Sequence, residues 1–307
     1  MTLAKILIPF ALLAGSPLSP GEHRFDSAGV KLWYRVAGAE GGVPVVFLHG
    51  GPGEGSMIFA RFAGPALEPS LRMVYLDQRG SGRSERPKAD SAYSMDLLVE
   101  DVERLRKDLG APRIALVGHS FGTAIGMEYA ARYPDRVSHL VLAAGIPDIP
   151  AMLDAQCERL SRMDAEAYAR ATVGVAADAR PRCNAFRAYP GKTQEYVNRN
   201  MFPDSKTAAL VDRADEENGL GNSGELSRAM FRQGPTEYRF EHPEKLTMPV
   251  LVVAGGEDHQ AVAGPQRDFA AKLPQGRFLL YPGRGHFMFV EDPERFARDV
   301  SAFVRAR

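Results

Sequence analysis

The chain has 307 residues, with 38 Lys plus Arg against 38 Asp plus Glu and 45% apolar residues. This even balance argues against a nucleic-acid protein, which carries a clustered basic excess to neutralise phosphates. No apolar run approaches the ~20 residues of a membrane-spanning helix, and two cysteines exclude a disulfide scaffold or a thiolate cluster for zinc.

Residues 1–20 stand apart. Lys5 precedes an apolar run, Ile6 to Gly15, followed by Ser16, Pro17, Leu18, Ser19 and Pro20. One early charge, a short apolar stretch and small residues form the pattern of a secretory leader, which predicts export to a periplasm or the exterior. The alternative is a mistaken start or an extra strand on a cytoplasmic protein. An oxidising destination permits a Cys157–Cys183 bridge; otherwise the two cysteines are separate buried thiols.

From Val30 onward, short runs rich in branched and aromatic residues predict strands: Lys31–Val36, Pro44–His49, Arg72–Asp77, Arg113–Gly118, His139–Ala144, Val250–Ala254 and Arg277–Tyr281. Near-continuous apolar runs of this length suit strands covered on both faces. Helical patterns lie between them. Leu98, Val102, Leu105 and Leu109 recur at helical spacing with Gly110 just past the end, and Asp292-Pro293 opens a last helix with Phe296, Val300 and Phe303 as its buried stripe. Alternating strands and helices predict an α/β fold with a doubly wound, mostly parallel sheet. Residues 146–246 break the alternation with helix-like segments alone. They predict a helical cap inserted into a core formed by residues 21–145 and 247–307, over the strand ends where open α/β sheets bind ligands.

Gly118-His119-Ser120-Phe121-Gly122 follows a strand and precedes a helical segment, the setting of a nucleophile elbow. A sharp turn there exposes the Ser120 hydroxyl and leaves the Phe121 amide at a helix N-terminus, aimed where an oxyanion would form. A serine hydroxyl needs a base. Of the seven histidines, His286 follows a strand and a glycine-rich loop, whereas His49 belongs to another glycine loop, His139 begins a strand and His242 adjoins Pro243. The orienting acid belongs between serine and histidine in chain order, and Asp258, after Val250–Ala254, stands there. Glu257 reads as a solvated neighbour and Asp148 as a second alternative acid. His49-Gly50-Gly51-Pro52-Gly53 follows another strand and offers the Gly51 amide as a second oxyanion donor.

HGGPG at 49–53, DQRGSGRS at 77–84 and GHSFG at 118–122, in that order, resemble the proline iminopeptidase (prolyl aminopeptidase) family of α/β-hydrolases. The similarity covers roughly residues 22–145 and 247–305. The resemblance implies an α/β-hydrolase fold with a helical cap, Ser120 as nucleophile, His286 as general base then acid, and Asp258 as orienting acid. It implies a small-molecule or short-peptide substrate and an acyl-enzyme route that calls for no metal and no organic cofactor. Asp77, Gln78 and Arg79 would shape the loop beside the site.

An aminopeptidase must hold a free α-ammonium, which in a partly buried pocket takes carboxylates. Asp215-Glu216-Glu217, beside Asn218-Gly219, offers such acids, with Glu216 and Glu217 as the substrate-binding candidates and Glu225 and Glu195 further away. Some members of the family carry an acid directly after the catalytic aspartate; here His259 stands there. Three readings therefore remain open. The chain is an aminopeptidase releasing N-terminal proline or a similar residue, an esterase, lactonase or small-amide hydrolase with the same triad, or a non-catalytic ligand receptor on a hydrolase fold. Dehalogenase and epoxide-hydrolase chemistry is disfavoured, because an aspartate nucleophile is expected where Ser120 stands.

Overall fold

The computed structural model describes residues 18–176, 178–184, 187–191, 193–219 and 224–306, so most of the leader-like stretch lies outside the described residues. Its centre is an eight-stranded sheet in the order β1-β2-β4-β3-β5-β6-β7-β8. The strands are β1 Gly21–Ser27, β2 Val30–Gly38, β3 Val45–Leu48, β4 Arg72–Asp77, β5 Ile114–His119, β6 Val137–Ala143, β7 Val250–Gly255 and β8 Gly276–Tyr281. β3 to β8 run parallel, while β1 and β2 form an antiparallel hairpin on one edge.

The parallel strands alternate side chains between two apolar layers, as the two-residue period of a strand requires. Val46, Leu48, Ile114, Leu116, Val250 and Val252 face one layer, and Val45, Phe47, Ala115, Val117, Leu251 and Val253 face the other. The first layer is closed by α3 Met95–Asp108, α4 Phe121–Arg132 and α10 Ala263–Ala270; the second by α1 Met57–Phe62, α2 Gly64–Leu67, α11 Met288–Glu291 and α12 Pro293–Arg305. In α12 the stripe Phe296, Val300 and Phe303 is buried as its spacing predicts. The reading that starts at Val30 misses β1. Its sequence, GEHRFDS, is polar because only Phe25 and Ser27 are buried on this edge strand.

Between β6 and β7 the chain forms α5 Ile149–Met163, α6 Ala165–Thr172, α7 Thr193–Met201, α8 Ser205–Asn218 and α9 Glu225–Arg232, with no sheet strand among the described residues. This segment has a small core of its own, in which Leu160, Ala167, Ala171 and Ala188 surround Cys157 and Cys183. The two cysteines form a disulfide, with Cα atoms 5.7 Å apart. Among the described residues, no helix is long and apolar enough to cross a membrane.

The bridge closes a loop across a sequence separation of 26. In the chain-entropy account, losing such a cross-link costs about 3 kcal/mol of stability. Cys157→Ser/Cys183→Ser should therefore melt several degrees lower than the oxidised wild type; identical melting curves would contradict a stabilising bridge.

Candidate active site

The carboxyl ends of β3, β4, β5, β7 and β8 lie along one edge of the parallel sheet, and each is followed by a residue of the site. Ser120 sits between β5 and α4 at φ 49° and ψ −120°, a sparsely populated conformation for a side-chain-bearing residue. Its own amide is held by the Ala143 carbonyl at 3.0 Å. The turn works because α4 comes very close to β3: a Cβ on Gly122 would lie 2.1 Å from the Leu48 carbonyl oxygen, so only glycine fits. Ser120 remains partly exposed while the whole of β5 is buried.

Asp258 and His286 come from the loops after β7 and β8. The His286 Nδ1–H donates to Asp258 Oδ2 at 2.8 Å, with both residues at most 2% exposed. Asp258 Oδ1 accepts the amides of Gln260 at 2.9 Å and Ala261 at 2.8 Å. Three donors thus satisfy the buried carboxylate and fix the imidazole tautomer that leaves Nε2 as the basic nitrogen. His286 is placed from two further sides. Its amide donates to Met201 O at 2.7 Å, and its carbonyl accepts from Nε2 of His119, the residue before Ser120, at 3.0 Å. Burial first, then the neighbouring His286, drives the His119 pKa well below the ordinary imidazole range, so His119 is a neutral strut.

The loop after β3 borders the same site. Gly51, Pro52, Ser120 and Phe121 line one pocket of about 150 Å³, with Ile146, Met152, Leu153 and Met230 among its apolar walls. Gly51 has φ 108°, and a Cβ there would meet the Gly53 amide nitrogen at 2.6 Å. His49 braces this loop: its Nε2 accepts the Gln78 amide at 3.1 Å, so Nδ1 carries the proton and donates to Gly50 O at 2.9 Å. Burial lowers its pKa, which suits this neutral form.

Asp77, Gln78 and Arg79 hold the neighbouring loop. Asp77 Oδ1 accepts from the amide and hydroxyl of Ser56 at 2.8 and 2.7 Å, and Oδ2 accepts the Arg83 amide at 2.8 Å. Arg79, 2% exposed, makes a bidentate pair with Asp101 at 2.6 Å for each bond and donates to Ala92 O at 2.8 Å. Such fork-to-carboxylate geometry fixes direction as well as distance.

The acids are distributed differently from the sequence reading. Glu216 and Glu217 do not sit in a turn that presents them inward; α8 continues through Asn218 and ends at Gly219. Its buried stripe is Ala208, Val211 and Ala214, so Asp215 flanks that stripe while Glu216 and Glu217 rotate to the exposed side. Glu217 pairs there with Arg61 at 2.6 Å. Glu195 pairs outward with Arg199, and Asp148 caps α5 through the Ala151 amide at 2.8 Å. Glu257 is exposed and lies 3.5 Å from His259 Nε2.

Glu54 is the residue that sequence reasoning missed, although it directly follows HGGPG. A Cβ on Gly50 would lie 3.1 Å from Glu54 Oε2 and 3.0 Å from Ser120 Cβ, so the carboxyl and the serine flank the same point. Burial, with Asp215 adding its charge, pushes the Glu54 pKa up to about 8. Burial, then Asp212, also raises Asp215. Among the described residues no group of three or more His, Cys, Asp or Glu is arranged to hold a metal ion.

A serine at a strand–helix turn and a buried carboxylate–imidazole pair at the ends of one parallel sheet define a hydrolase-type α/β site. Residues 43–293 match the alpha/beta hydrolase fold family, and the chain belongs to that family. Within it, the chain is similar to proline iminopeptidases. That of Saccharolobus solfataricus is 25% identical over 96% of this chain and 96% of its own length. That of Lactiplantibacillus plantarum is 27% identical over 86% and 93%. A proline iminopeptidase-related protein from Thermus thermophilus superposes with a TM-score of 0.77 at 24% identity, covering 93% of this chain and 97% of its own. Epoxide hydrolase 3 of Mus musculus also matches, at 24% identity over 93% of this chain and 79% of its own length.

The Arg79–Asp101 pair gives a test of the scaffold that needs no substrate. Arg79→Met leaves the Asp101 carboxylate buried without its cation, which should cost about 3–5 kcal/mol. Urea denaturation should show that loss and its partial recovery in Arg79→Met/Asp101→Leu; a single variant within about 1 kcal/mol of wild type would contradict it.

Proposed function

We propose that the chain is a serine hydrolase cleaving small amide substrates through an acyl-enzyme, and specifically an aminopeptidase that releases N-terminal proline or a similar residue. The observation that carries the hydrolase reading is the buried His286–Asp258 pair, 2.8 Å, beside the turn that bears Ser120. In this mechanism Ser120 attacks the carbonyl carbon while His286 Nε2 accepts its proton and Asp258 steadies the imidazolium. The amides of Phe121 and Gly51 stabilise the tetrahedral oxyanion. His286 then protonates the leaving amine, and a water activated by the same imidazole hydrolyses the acyl-enzyme.

Glu54 and Asp215 support the aminopeptidase reading, in place of Glu216 and Glu217. Two carboxyls beside the oxyanion loop suit a substrate ammonium, and the raised Glu54 pKa of about 8 is what such a site shows before its cation arrives. The sign follows directly. Below this pKa Glu54 is neutral and attracts an ammonium weakly; as pH rises toward about 8 it ionises and binding strengthens, until the substrate's own α-ammonium, with a pKa of about 8, loses its proton. A bound cation pulls the same pKa down. One observation favours the esterase or lactonase reading instead: the pocket beside Ser120 is walled by Ile146, Ile149, Met152, Leu153 and Met230, which suits an apolar acyl group. The Cys157–Cys183 bridge supports an oxidising destination and hence export.

Prolyl and alanyl arylamides compared with short N-blocked or acyl esters separate these readings. Ser120→Ala should abolish turnover of both classes. Glu54→Gln should raise KM for the free-amine arylamides by about tenfold, the equivalent of about 1.4 kcal/mol, and spare the esters. In wild type the ratio of arylamide KM to ester KM should fall between about pH 6 and pH 8, and this trend should vanish in Glu54→Gln. Ester turnover without arylamide cleavage overturns the aminopeptidase reading, and activity retained in Ser120→Ala overturns the nucleophile.

A further inference from the structure

Helix α5 lines the pocket beside Ser120 with a stripe at helical spacing: Ile149, Met152, Leu153 and Gln156. Three of the four are apolar, and the fourth is a glutamine that is only 7% exposed. A buried side-chain amide in an apolar wall is costly unless its polar atoms are bonded. Gln156 Nε2 meets this demand by donating to the Gln260 carbonyl at 2.7 Å.

That carbonyl belongs to the loop that carries Asp258. In the planar trans peptide from Gln260 to Ala261 the C=O and the N–H point in opposite directions. Its carbonyl accepts from Gln156, while its N–H, that of Ala261, donates to Asp258 Oδ1 at 2.8 Å. One rigid plane thus has Gln156 at one end and the buried carboxylate at the other. The plane cannot tilt away from Gln156 without swinging its N–H off Oδ1. A donor on the carbonyl also polarises the peptide and strengthens the bond made by its N–H. The helical segment holds the same loop at a second point, where the Asn200 carbonyl accepts the His259 amide at 2.8 Å. That bond is made by backbone alone and fixes the peptide between Asp258 and His259, two units before the plane that Gln156 holds. Gln156 is itself firmly placed. Its neighbour Cys157 anchors α5 in the core of the helical segment through the bridge to Cys183.

We propose that Gln156 is a positioning residue: it orients the Gln260–Ala261 peptide so that the Ala261 N–H holds Asp258, which in turn holds His286. This role rests on the reading of Asp258 as the orienting acid, and it is the same whether the substrate is an amide or an ester.

Labelling of Ser120 by alkyl fluorophosphonates, followed as a second-order rate constant on the full-length protein, tests this role. Gln156→Met removes the donor at similar volume, and Gln156→Glu removes it at the same shape. Each should slow labelling about tenfold, the effect of losing about one hydrogen bond, with circular dichroism unchanged. The factor should be equal for a methyl and an octyl probe, because Asp258 does not line the Ser120 pocket. In Asp258→Ala the carboxylate is already gone, so adding Gln156→Met should slow labelling by less than about twofold. Gln156 variants that stay within about twofold of wild type, beside an impaired Asp258→Ala, overturn the role of Gln156 and spare the orienting acid. A factor that differs between the two probes, or a full loss that persists in Asp258→Ala, also overturns it and leaves Gln156 as a wall of the pocket. Labelling of Asp258→Ala as fast as wild type overturns the orienting acid, and the role of Gln156 falls with it. Either Gln156 variant suffices if the other fails to fold, and if Asp258→Ala fails to fold, the comparison of the two probes decides.

Discussion

The buried carboxylate of Asp258 is the constraint around which the site is arranged. A charge removed from water is costly unless it is well hydrogen-bonded, and Asp258 accepts three bonds that engage both its oxygens, from Gln260 N, Ala261 N and His286 Nδ1. Two of these donors belong to its own loop and the third comes from the loop after β8. The carboxylate therefore does more than orient an imidazole. It joins two loops that are adjacent only because β7 and β8 pair in parallel, residue by residue from Val250↔Gly276 to Gly255↔Tyr281. His119 and Met201 then hold the His286 backbone from the sheet and from the helical segment. The imidazole is fixed by the fold's geometry before any substrate enters.

A different electrostatic regime surrounds the other half of the site. The Asp258 carboxylate and the His286 backbone are fully paired, whereas Glu54 sits partly buried beside Asp215, with its carboxyl pushed toward the protonated form. Fully paired groups give rigidity; a carboxyl held off its preferred charge state gives responsiveness to a cation. The loop that carries Glu54 is itself rigid, braced by His49, Gln78 and the Ser56–Asp77 bonds. A soft charge on a stiff loop is a workable basis for distinguishing a free amine from a blocked one.

What the sequence disclosed follows from what each pattern depends on. The parallel strands were legible because burial on both faces forces near-continuous apolar runs. β1 escaped because an edge strand has only one buried face, and Phe25 is its one buried apolar residue. Ser120, Asp258 and His286 were legible because their order and their places after strands are set by chain topology. Glu216 and Glu217 were misplaced by helix phase: one residue is a 100° turn, and α8 runs on to Asn218 where a turn was expected. Glu54 was missed for another reason. Nothing in HGGPGE announces a raised pKa, which arises from burial and from Asp215, more than 150 positions away in sequence.

The central claim is that these strand-end residues act as one unit, with Ser120 activated by an imidazole that Asp258 holds in place. An alkyl fluorophosphonate, which reacts with an activated serine, followed by peptide mass spectrometry tests this most directly. The account predicts one adduct per chain, located on Ser120, forming at a rate that falls by orders of magnitude in His286→Ala. No adduct, an adduct on another residue, or unchanged labelling in His286→Ala would contradict it.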